Sequence, residues 1–323
     1  MENKLTEKFK KGVVYYRKHG FVPTLHRLFI NDYVIYRRLP PEKYEKALKQ
    51  WYRRTAGKPL DLEHPRTYNE KIQWLKLYDS TPLKTRLADK YLVREWVKEK
   101  IGEEYLIPLL GVWSDFDEID FGKLPDQFVL KATHGSGWNI VVRDKSKFDR
   151  RDARKKFKKW LNTNYAFVGG FELHYRNIQP RIIAEAYMQT QDEDLHDYKI
   201  FCFEGKAEGL LFVAGRAAEM RKIFYDLRRN GQREPLACFQ DDAGPLRPGE
   251  VDRLIQLSER LSEGFPHVRV DFYILHDGSV KFGEMTFSPA SGLRDWDSEE
   301  QDRAYGDLLR LPARKSPMPA GRP

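Results

Sequence analysis

The sequence predicts an α+β fold, because helix-forming and strand-forming segments follow one another without a strict β-α-β repeat. Over residues 1–102, apolar residues recur at helical spacing among lysines and arginines. From residue 104 onward, several segments show the two-residue period of strands. A glycine-containing connection at 135–137 and the dipeptide Asp277-Gly278 each separate two such strands, which predicts antiparallel hairpins.

The first third of the chain is predicted to be helical. Pro40-Pro41 ends one helix, Thr81-Pro82 begins another, and Gly102 closes it, since proline favours the first turn of a helix and glycine its C-terminal cap. The predicted helices cover residues 4–18, 24–38, 42–54 and 67–78, followed by one long helix over 82–102.

The remainder is predicted to alternate strands with three helices and to end in a disordered tail. The tail, 312–323, has four prolines in twelve residues and little apolar surface to bury. Strands are expected within 104–113, 125–144, 181–188, 197–215, 222–227 and 268–285, and helices over 149–162, 250–263 and 298–311.

Charge is distributed unevenly along the 323 residues. The chain carries a net charge of +9, yet residues 1–60 alone hold 15 Lys/Arg against 5 Asp/Glu. A basic N-terminus attracts anions such as an acidic membrane leaflet or an acidic polysaccharide, although a solvated helix face explains the same residues. The two cysteines, Cys202 and Cys238, form no Cys-x-x-Cys motif, so a zinc site is not expected. No signal peptide or membrane-spanning run is recognisable, and we expect a cytoplasmic protein.

Asp271 and Glu284 are the strongest functional signal. A type I′ turn at Asp277-Gly278 places them opposite each other and pairs Arg269 with Thr286 on the same face. Opposed carboxylates lie roughly 5 Å apart and repel each other, so replacing one by its amide is expected to preserve or raise stability. Such a pair suits Mg²⁺ bound to substrate phosphates. The alternative is a register slip of one residue, which would send one carboxylate to the other face.

Three weaker signals precede this hairpin. An apolar strand delivers Lys131 to a loop with Gly135 and Gly137, whose backbone could approach an anion, although an ordinary hairpin bend explains the same pattern. Glu185 interrupts another apolar strand, whose backbone could hydrogen-bond an adenine edge, although Glu185 could equally cap a neighbouring chain. Lys199 begins a further strand and by itself is a surface lysine.

In this order along the chain, these residues resemble the ATP-grasp superfamily. Further residues of the body lie in the segments RTYNEKIQWLKLYD, LADKYLVREWVKEKIGEEYLIPLLGVW, FVLKATHGSGWNI and GEMTFSPASG. Through these segments the body also resembles one branch, the TupA-like ATP-grasp family of polysaccharide biosynthesis, over roughly residues 40–300. The resemblance implies ATP and Mg²⁺ as cofactors and two α+β lobes that grip ATP, preceded by a small lobe.

The resemblance divides the chain into five parts, with a basic helical extension at the N-terminus. The small lobe carries the glycine loop, and the large lobe carries the metal site. The expected boundaries are 1–58 for the extension, 59–125 for the pre-ATP-grasp lobe, 126–190 for the small lobe, 191–311 for the large lobe and 312–323 for the tail.

Individual roles also follow from the resemblance. Lys131 and Lys199 are expected to hold the α- and β-phosphates, and Arg269 to stabilise an acylphosphate, which makes these three the expected catalytic residues. The glycine loop is expected to act as a lid that excludes water. The implied nucleotide-binding residues are Lys90, Lys131, His134, Gly135, Ser136, Gly137, Glu185, Ala186, Tyr187 and Lys199.

The implied magnesium ligands are Asp271, Glu284 and Thr286. Thr286 departs from the superfamily pattern, which has asparagine there, and a hydroxyl binds Mg²⁺ less strongly than an amide carbonyl. Ser288 is a nearby substitute. Aromatic side chains could stack on a sugar or simply pack in the core. The expected substrate-binding residues are Arg294, Ser288, Trp138 and Tyr175.

The resemblance implies an ATP-dependent carboxylate–amine ligase that works through an acylphosphate. The expected partners are a sugar-acid glycan, free or lipid-linked, an amino acid or other amine, and an anionic membrane surface for the N-terminus, but not nucleic acid. A glycosyltransferase is the alternative enzyme, because three Asp-x-Asp motifs occur, and a non-catalytic adaptor is a third class. These motifs lie at Asp115–Asp117, Asp192–Asp194 and Asp295–Asp297.

Overall fold

The structure, a computed structural model, describes residues 31–188, 196–214, 221–229, 232–233, 248–275 and 277–314. The helix predicted over 4–18 and most of the tail lie outside these residues. The helices are α1 Asp32–Tyr36, α2 Tyr44–Ala56, α3 Tyr68–Tyr78, α4 Pro82–Ala88, α5 Val93–Lys100, α6 Arg150–Leu161, α7 Pro248–Ser262 and α8 Glu299–Leu308. The strands are β1 Leu109–Trp113, β2 Phe128–Ala132, β3 Asn139–Val142, β4 Ile182–Ala186, β5 Asp197–Phe203, β6 Lys206–Ala214, β7 Arg221–Asp226, β8 Arg228–Arg229, β9 Gln232–Arg233, β10 His267–Ile274 and β11 Val280–Thr286.

A four-stranded antiparallel sheet forms one lobe, in the order β1-β4-β2-β3. Along β2, Phe128 and Leu130 are buried on the face that also packs against Phe157 of α6, and Lys131 lies on the opposite face. The period of two therefore delivers the lysine to the side away from the helix. Strand β1 belongs to this sheet although it precedes residue 126, so we propose that the small lobe begins before β1.

A five-stranded antiparallel sheet forms the second lobe, in the order β11-β10-β5-β6-β7. Helix α7 covers one face of it, where Val268, Val270 and Phe272 are fully buried. The side chains that alternate with these point to the other face. The two sheets and the helices around them confirm the predicted α+β class, and Cys202 is the buried free thiol that an alternating strand predicts.

The hairpin of β10 and β11 has the predicted pairs at its far end but a different turn. Asp271 pairs with Glu284, as predicted. The turn, however, has three residues, because Leu275 N donates to Ser279 O over 2.9 Å, and Gly278 is left-handed with φ of +76°. The type I′ turn was therefore a wrong prediction. An extra residue in β11, between the partners of Asp271 and Phe272, restores the register.

The long helix predicted over 82–102 is in fact two helices, α4 and α5, separated at Asp89–Leu92. Asp89 is extended, with φ −76° and ψ 118°, and its Oδ1 accepts the N–H groups of Tyr91 and Leu92. A side chain that satisfies these free N–H groups stabilises a new helix start within an otherwise helical pattern. The break leaves Lys90 outside both helices, and its backbone N–H donates to Thr133 O over 3.1 Å.

The remaining boundaries differ from the predicted ones by a few residues. Within the predicted helix 24–38, Asn31 is non-helical and precedes α1, so that helix is not continuous. The segment predicted as a strand over 104–113 contributes only β1, after a short 3₁₀ turn at Glu103–Tyr105. Helix α3 begins at Tyr68, and its N-terminus is stabilised by the capping box that Thr67 and Glu70 form.

Candidate active site

Asp271 and Glu284 lie at the centre of a network of opposite charges. Arg269 donates from Nε to Asp271 Oδ1 over 2.6 Å and from Nη2 to Glu284 Oε1 over 3.2 Å. Lys199 Nζ lies 2.5 Å from Asp271 Oδ2, and Lys90 Nζ lies 3.1 Å from Glu284 Oε2. Two carboxylates on neighbouring strands are thus compensated by three cations, which come from β10, from β5 and from the break between α4 and α5.

Burial makes this network electrostatically strong. Asp271 is 1 % exposed. Burial alone would raise the pKa of Glu284, but Lys90, Arg269 and Lys199 outweigh it and hold that pKa well below its usual range. Burial likewise opposes the charge on Arg269, yet Asp271 and Glu284 raise its pKa above its ordinary value. Glu284 and Arg269 are therefore both ionised at neutral pH.

A second network lies on the small-lobe sheet around Glu185, at the end of β4. Lys131 Nζ lies 2.5 Å from Glu185 Oε2, and Arg94 Nη1 lies 3.4 Å from Oε1. Oε2 is buried and accepts no well-aligned hydrogen bond despite the nearby lysine. The backbone N–H of Ala186 donates to Pro108 O, so it is already occupied, and Tyr187 directly follows the strand. Sequence reasoning missed Arg94, which lies in an ordinary amphipathic helix.

The glycine loop connects β2 to β3 and is shaped by two different glycine requirements. Gly137 is left-handed, with φ of +72°. A Cβ on Gly135 would lie 2.6 Å from the Trp138 ring and 2.8 Å from Tyr165. Ser136 at the tip is exposed. His134 is buried, with Nε2 3.0 Å from Trp160 O, and burial lowers its pKa. His134 therefore anchors the loop on α6.

Thr286 faces the carboxylates, whereas Ser288 does not. The Thr286 hydroxyl accepts from Arg269 over 3.0 Å and donates to Glu284 Oε1 over 3.0 Å. Ser288 is 2 % exposed and donates a short hydrogen bond to buried Glu172. Of the two candidate hydroxyl ligands, the geometry favours Thr286, and Ser288 belongs to the support of the following loop.

The loop after β11 is held by buried polar side chains that sequence reasoning did not identify. Ala290 and Ser291 are left-handed, with φ of 51° and 54°, a conformation that costs energy for residues with a Cβ. Gln73 Nε2 donates to Gly292 O over 2.8 Å, and Lys76 Nζ donates to Ser291 O over 3.1 Å. The signal in the sequence that could have indicated this support is the pair Gln73 and Lys76, two polar residues three positions apart within the apolar pattern of α3.

The four candidate substrate residues occupy different environments. Tyr175 is 6 % exposed and packs against Tyr165, which favours the core alternative for this residue. Trp138 is half-buried and stacks on Trp160 at 6.2 Å beside the glycine loop. Arg294 lines a cleft of about 910 Å³ on the site face of the five-stranded sheet, together with Lys199 and Arg269.

The donor set beside this cleft suits Mg²⁺ bound to a nucleotide. Asp271, Glu284 and Thr286 offer oxygen donors only, and Lys90 and Lys199 contact the two carboxylates. Within the described residues, no group of three or more His, Cys, Asp or Glu side chains is arranged to hold a metal by itself. Two carboxylates fit a Mg²⁺ that takes its other ligands from phosphate oxygens and water.

Comparison with known proteins identifies the family. The protein-family model described as TupA-like ATPgrasp matches residues 70–310 of this chain. The chain belongs to the TupA-like ATP-grasp family. The match covers both sheets and every residue of the two charge networks, so the fold is that of the ATP-grasp superfamily, whose members hold ATP with Mg²⁺ between two lobes.

Solved structures show a distant similarity. D-alanine–D-alanine ligase from Bacillus anthracis, complexed with ATP, has 16 % identity and a TM-score of 0.44, covering 69 % of this chain and 64 % of that one. The D-alanine–D-alanine ligase of Helicobacter pylori has 15 % identity and a TM-score of 0.40, with coverages of 70 % and 61 %. L-amino acid ligase from Bacillus licheniformis has 10 % identity and a TM-score of 0.44, with coverages of 76 % and 55 %.

This TupA-like chain thus spans less than two thirds of the length of these three structures. No curated protein matches it. Among the described residues, none of the helices is long and apolar enough to cross a membrane.

Asp271→Asn should destabilise the ligand-free protein by about 3 kcal/mol, because it leaves Arg269 and Lys199 as buried cations short of a counter-charge. This reverses the expectation from sequence, which considered only the repulsion between the carboxylates. The measurement is urea unfolding at pH 7 without nucleotide. Asp277→Asn, at the exposed hairpin turn, is the control and should change the free energy of unfolding by less than about 0.5 kcal/mol. A free energy of unfolding for Asp271→Asn that is unchanged or higher would contradict the compensated network.

Proposed function

We propose that this protein is an ATP-dependent carboxylate–amine ligase, and that it amidates a uronic-acid carboxylate of a bacterial surface polysaccharide or its precursor with an amino acid. One observation carries the ligase proposal. The lysines that would hold phosphates are already paired with carboxylates across the site: Lys90 with Glu284, Lys199 with Asp271, and Lys131 with Glu185. Family membership supports ATP as the nucleotide.

This pairing suits exchange with a magnesium nucleotide. Phosphate oxygens would replace the carboxylates as partners of Lys90 and Lys199, and Asp271 and Glu284 would hold the metal, which neutralises charge on the phosphates. Every buried charge would keep a partner of opposite sign. Binding of Mg²⁺ alone or of the nucleotide alone would leave charge of one sign without a counter-charge in the site, which is costly.

The proposed reaction has two steps. A substrate carboxylate oxygen attacks the γ-phosphorus of ATP, the bond to the β–γ bridging oxygen breaks, and ADP leaves. The amine nitrogen then attacks the acyl carbon, phosphate leaves with the electrons of the C–O bond, and the nitrogen loses a proton. Arg269 suits the stabilisation of the acylphosphate, because it lines the cleft and its Nη1 has no hydrogen-bond partner within the described residues. The loop at Gly135–Gly137 would exclude water, since an acylphosphate hydrolyses readily.

The cleft of about 910 Å³ is the proposed acceptor site. Its floor includes Lys199 and Arg269, which attract a carboxylate, and Phe201, which offers an apolar wall to a sugar ring. The volume is of the size that holds a mono- or disaccharide. Trp138, beside the glycine loop, is the remaining aromatic candidate for stacking on a sugar.

The structure gives less support to the glycosyltransferase alternative. Asp117 of the first Asp-x-Asp motif forms an exposed ion pair with Arg154. The third motif, Asp295–Asp297, lies along the proposed acceptor cleft, and the second lies outside the described residues. The nucleotide that binds therefore decides between the two enzymes.

We further propose a cytoplasmic location, where ATP is available, with the basic residues 1–39 binding an anionic membrane surface that carries a lipid-linked substrate. These residues hold nine Lys/Arg against three Asp/Glu, and each cation near an anionic leaflet contributes about 1 kcal/mol. Co-sedimentation with phosphatidylserine vesicles should recover the full chain, but not a truncation beginning at Pro40, at low salt. Equal recovery of both would contradict this proposal.

ATP with Mg²⁺ should raise the melting temperature by about 5 °C or more at a hundredfold excess over Kd, because a ligand that binds only the native state stabilises it. ATP alone and Mg²⁺ alone should each give a smaller shift, since either leaves buried charge uncompensated. Glu284→Gln should lose most of the combined shift, while Asp277→Asn should keep it. A UDP-sugar that stabilises the protein when ATP-Mg²⁺ does not would favour the glycosyltransferase.

Hydroxylamine should trap the acylphosphate as a hydroxamate. With ATP, Mg²⁺ and a uronic acid, the wild-type protein should form ADP and hydroxamate in equal amounts, and Arg269→Met should lower the rate by 100-fold or more, as loss of oxyanion stabilisation does. The ferric-hydroxamate absorbance measures the product, and coupled pyruvate-kinase detection measures the ADP. Release of ADP without hydroxamate, across a panel of uronic acids, would indicate another phosphoryl acceptor.

A further inference from the structure

Arg294 is a half-buried cation held by aromatic rings rather than by an acid. Its guanidinium carbon lies 4.3 Å from the centroids of Phe224 and Trp296 and 5.1 Å from that of Phe201. Its Nε is buried without a hydrogen-bond partner, and the residue forms no ion pair within the described part of the chain. Burial lowers its pKa, but an arginine stays charged at neutral pH.

The position of Arg294 is fixed before any ligand binds. The Asn69 side chain accepts from Arg294 N over 2.9 Å and donates to Arg294 O over 2.9 Å. Asn69 is itself held by Asp302, whose Oδ1 accepts from Asn69 N and whose Oδ2 accepts from its Nδ2. A preorganised guanidinium loses little entropy when it binds a planar anion.

Arg294 and Arg269 line the same cleft. Arg269 is neutralised by Asp271 and Glu284 in direct contact, whereas the guanidinium of Arg294 stacks on rings and forms no ion pair within the described residues. Burial lowers the pKa of Arg294, and Asp297 raises it by less. The acids nearest to Arg294 along the chain, Asp295 and Asp297, are exposed at the rim of the cleft. Stacking accounts for the orientation of the guanidinium, but it supplies no acceptor for the N–H groups.

We propose that Arg294 binds a second carboxylate of the acceptor, so that the enzyme prefers an acceptor with two carboxylates over one that has only the carboxylate to be activated. This rests on the proposed function, which brings the first carboxylate to Arg269. In a glycan the second carboxylate belongs to the neighbouring sugar acid. The chain thereby acts on a run of consecutive uronic acids rather than on an isolated one.

The test uses the full chain saturated with Mg²⁺ and AMP-PNP and measures Kd by titration calorimetry. The probes are D-galacturonate, which has one carboxylate, and digalacturonate, which has two on neighbouring sugars. The third probe is galactarate, which has two carboxylates at the ends of a single open-chain sugar acid. Wild type should bind digalacturonate about tenfold or more tightly than galacturonate, which corresponds to one charge-assisted hydrogen-bonded pair. Equal affinity of these two probes would overturn the proposal, and a preference for galactarate alone would overturn its assignment to a neighbouring sugar.

Arg294→Met keeps the apolar bulk against the rings and should bring digalacturonate to the affinity of galacturonate. Arg294→Lys keeps the charge but not the planar guanidinium, and it should retain part of the preference for digalacturonate over galacturonate. It keeps the proposal testable if the Met variant does not fold. Lys222→Met removes an exposed cation from the same cleft and should keep the preference. A preference that persists in Arg294→Met, or that is lost equally in Lys222→Met, would contradict a specific role for Arg294.

The melting-temperature shift with Mg²⁺ and AMP-PNP separates this proposal from the ligase function. If that shift is intact and none of the three probes binds, the second-carboxylate proposal is wrong while the nucleotide site stands. If the shift is absent in wild type, the proposed function itself fails.

Discussion

Compensation of buried charge governs the organisation of this molecule. Asp271 is buried and Glu284 is partly buried, and a carboxylate removed from water is costly without cations in contact. The cations come from separate parts of the chain: Arg269 from the same strand, Lys199 from the neighbouring strand, and Lys90 from the break between two helices. The sheet order and the helix break are therefore both parts of one electrostatic arrangement, and the same charges form the proposed nucleotide site.

The loop that follows β11 is the second element that depends on buried polar groups. Two left-handed residues in sequence, Ala290 and Ser291, persist because Gln73 and Lys76 hold the backbone carbonyls around them. Burial lowers the pKa of Lys76 to about 7, and Glu172 opposes that change. The support of the site therefore comes from a helix far away in the sequence, which links the N-terminal helical region to the chemistry.

The sequence predicted the fold class and the central carboxylate pair, because both depend on local periodicity. Alternation along two strands was sufficient to place Asp271 opposite Glu284 and Arg269 opposite Thr286. One feature that it did not predict is local, because Asp89 interrupts a helical pattern through its side-chain bonds to Tyr91 N and Leu92 N. The others depend on contacts between distant segments, since Arg94, Gln73 and Glu172 meet Glu185, Gly292 and Ser288 only in the folded chain. The roles of the candidate site residues in binding and catalysis stay predictions.

The extra residue in β11 separates the geometry of the site from the geometry of the turn. Compared with the predicted two-residue turn, the three-residue connection shifts the pairing of the two strands by one position. The extra residue Gly283 in β11 restores the predicted pairing, so that Asp271 lies opposite Glu284. A Cβ at Gly283 would lie 3.1 Å from both Asp271 O and the Tyr273 ring, so a larger residue there would require its neighbours to shift by a few tenths of an ångström. A change of length at the exposed tip is therefore expected to leave Asp271 and Glu284 on the same face of the sheet.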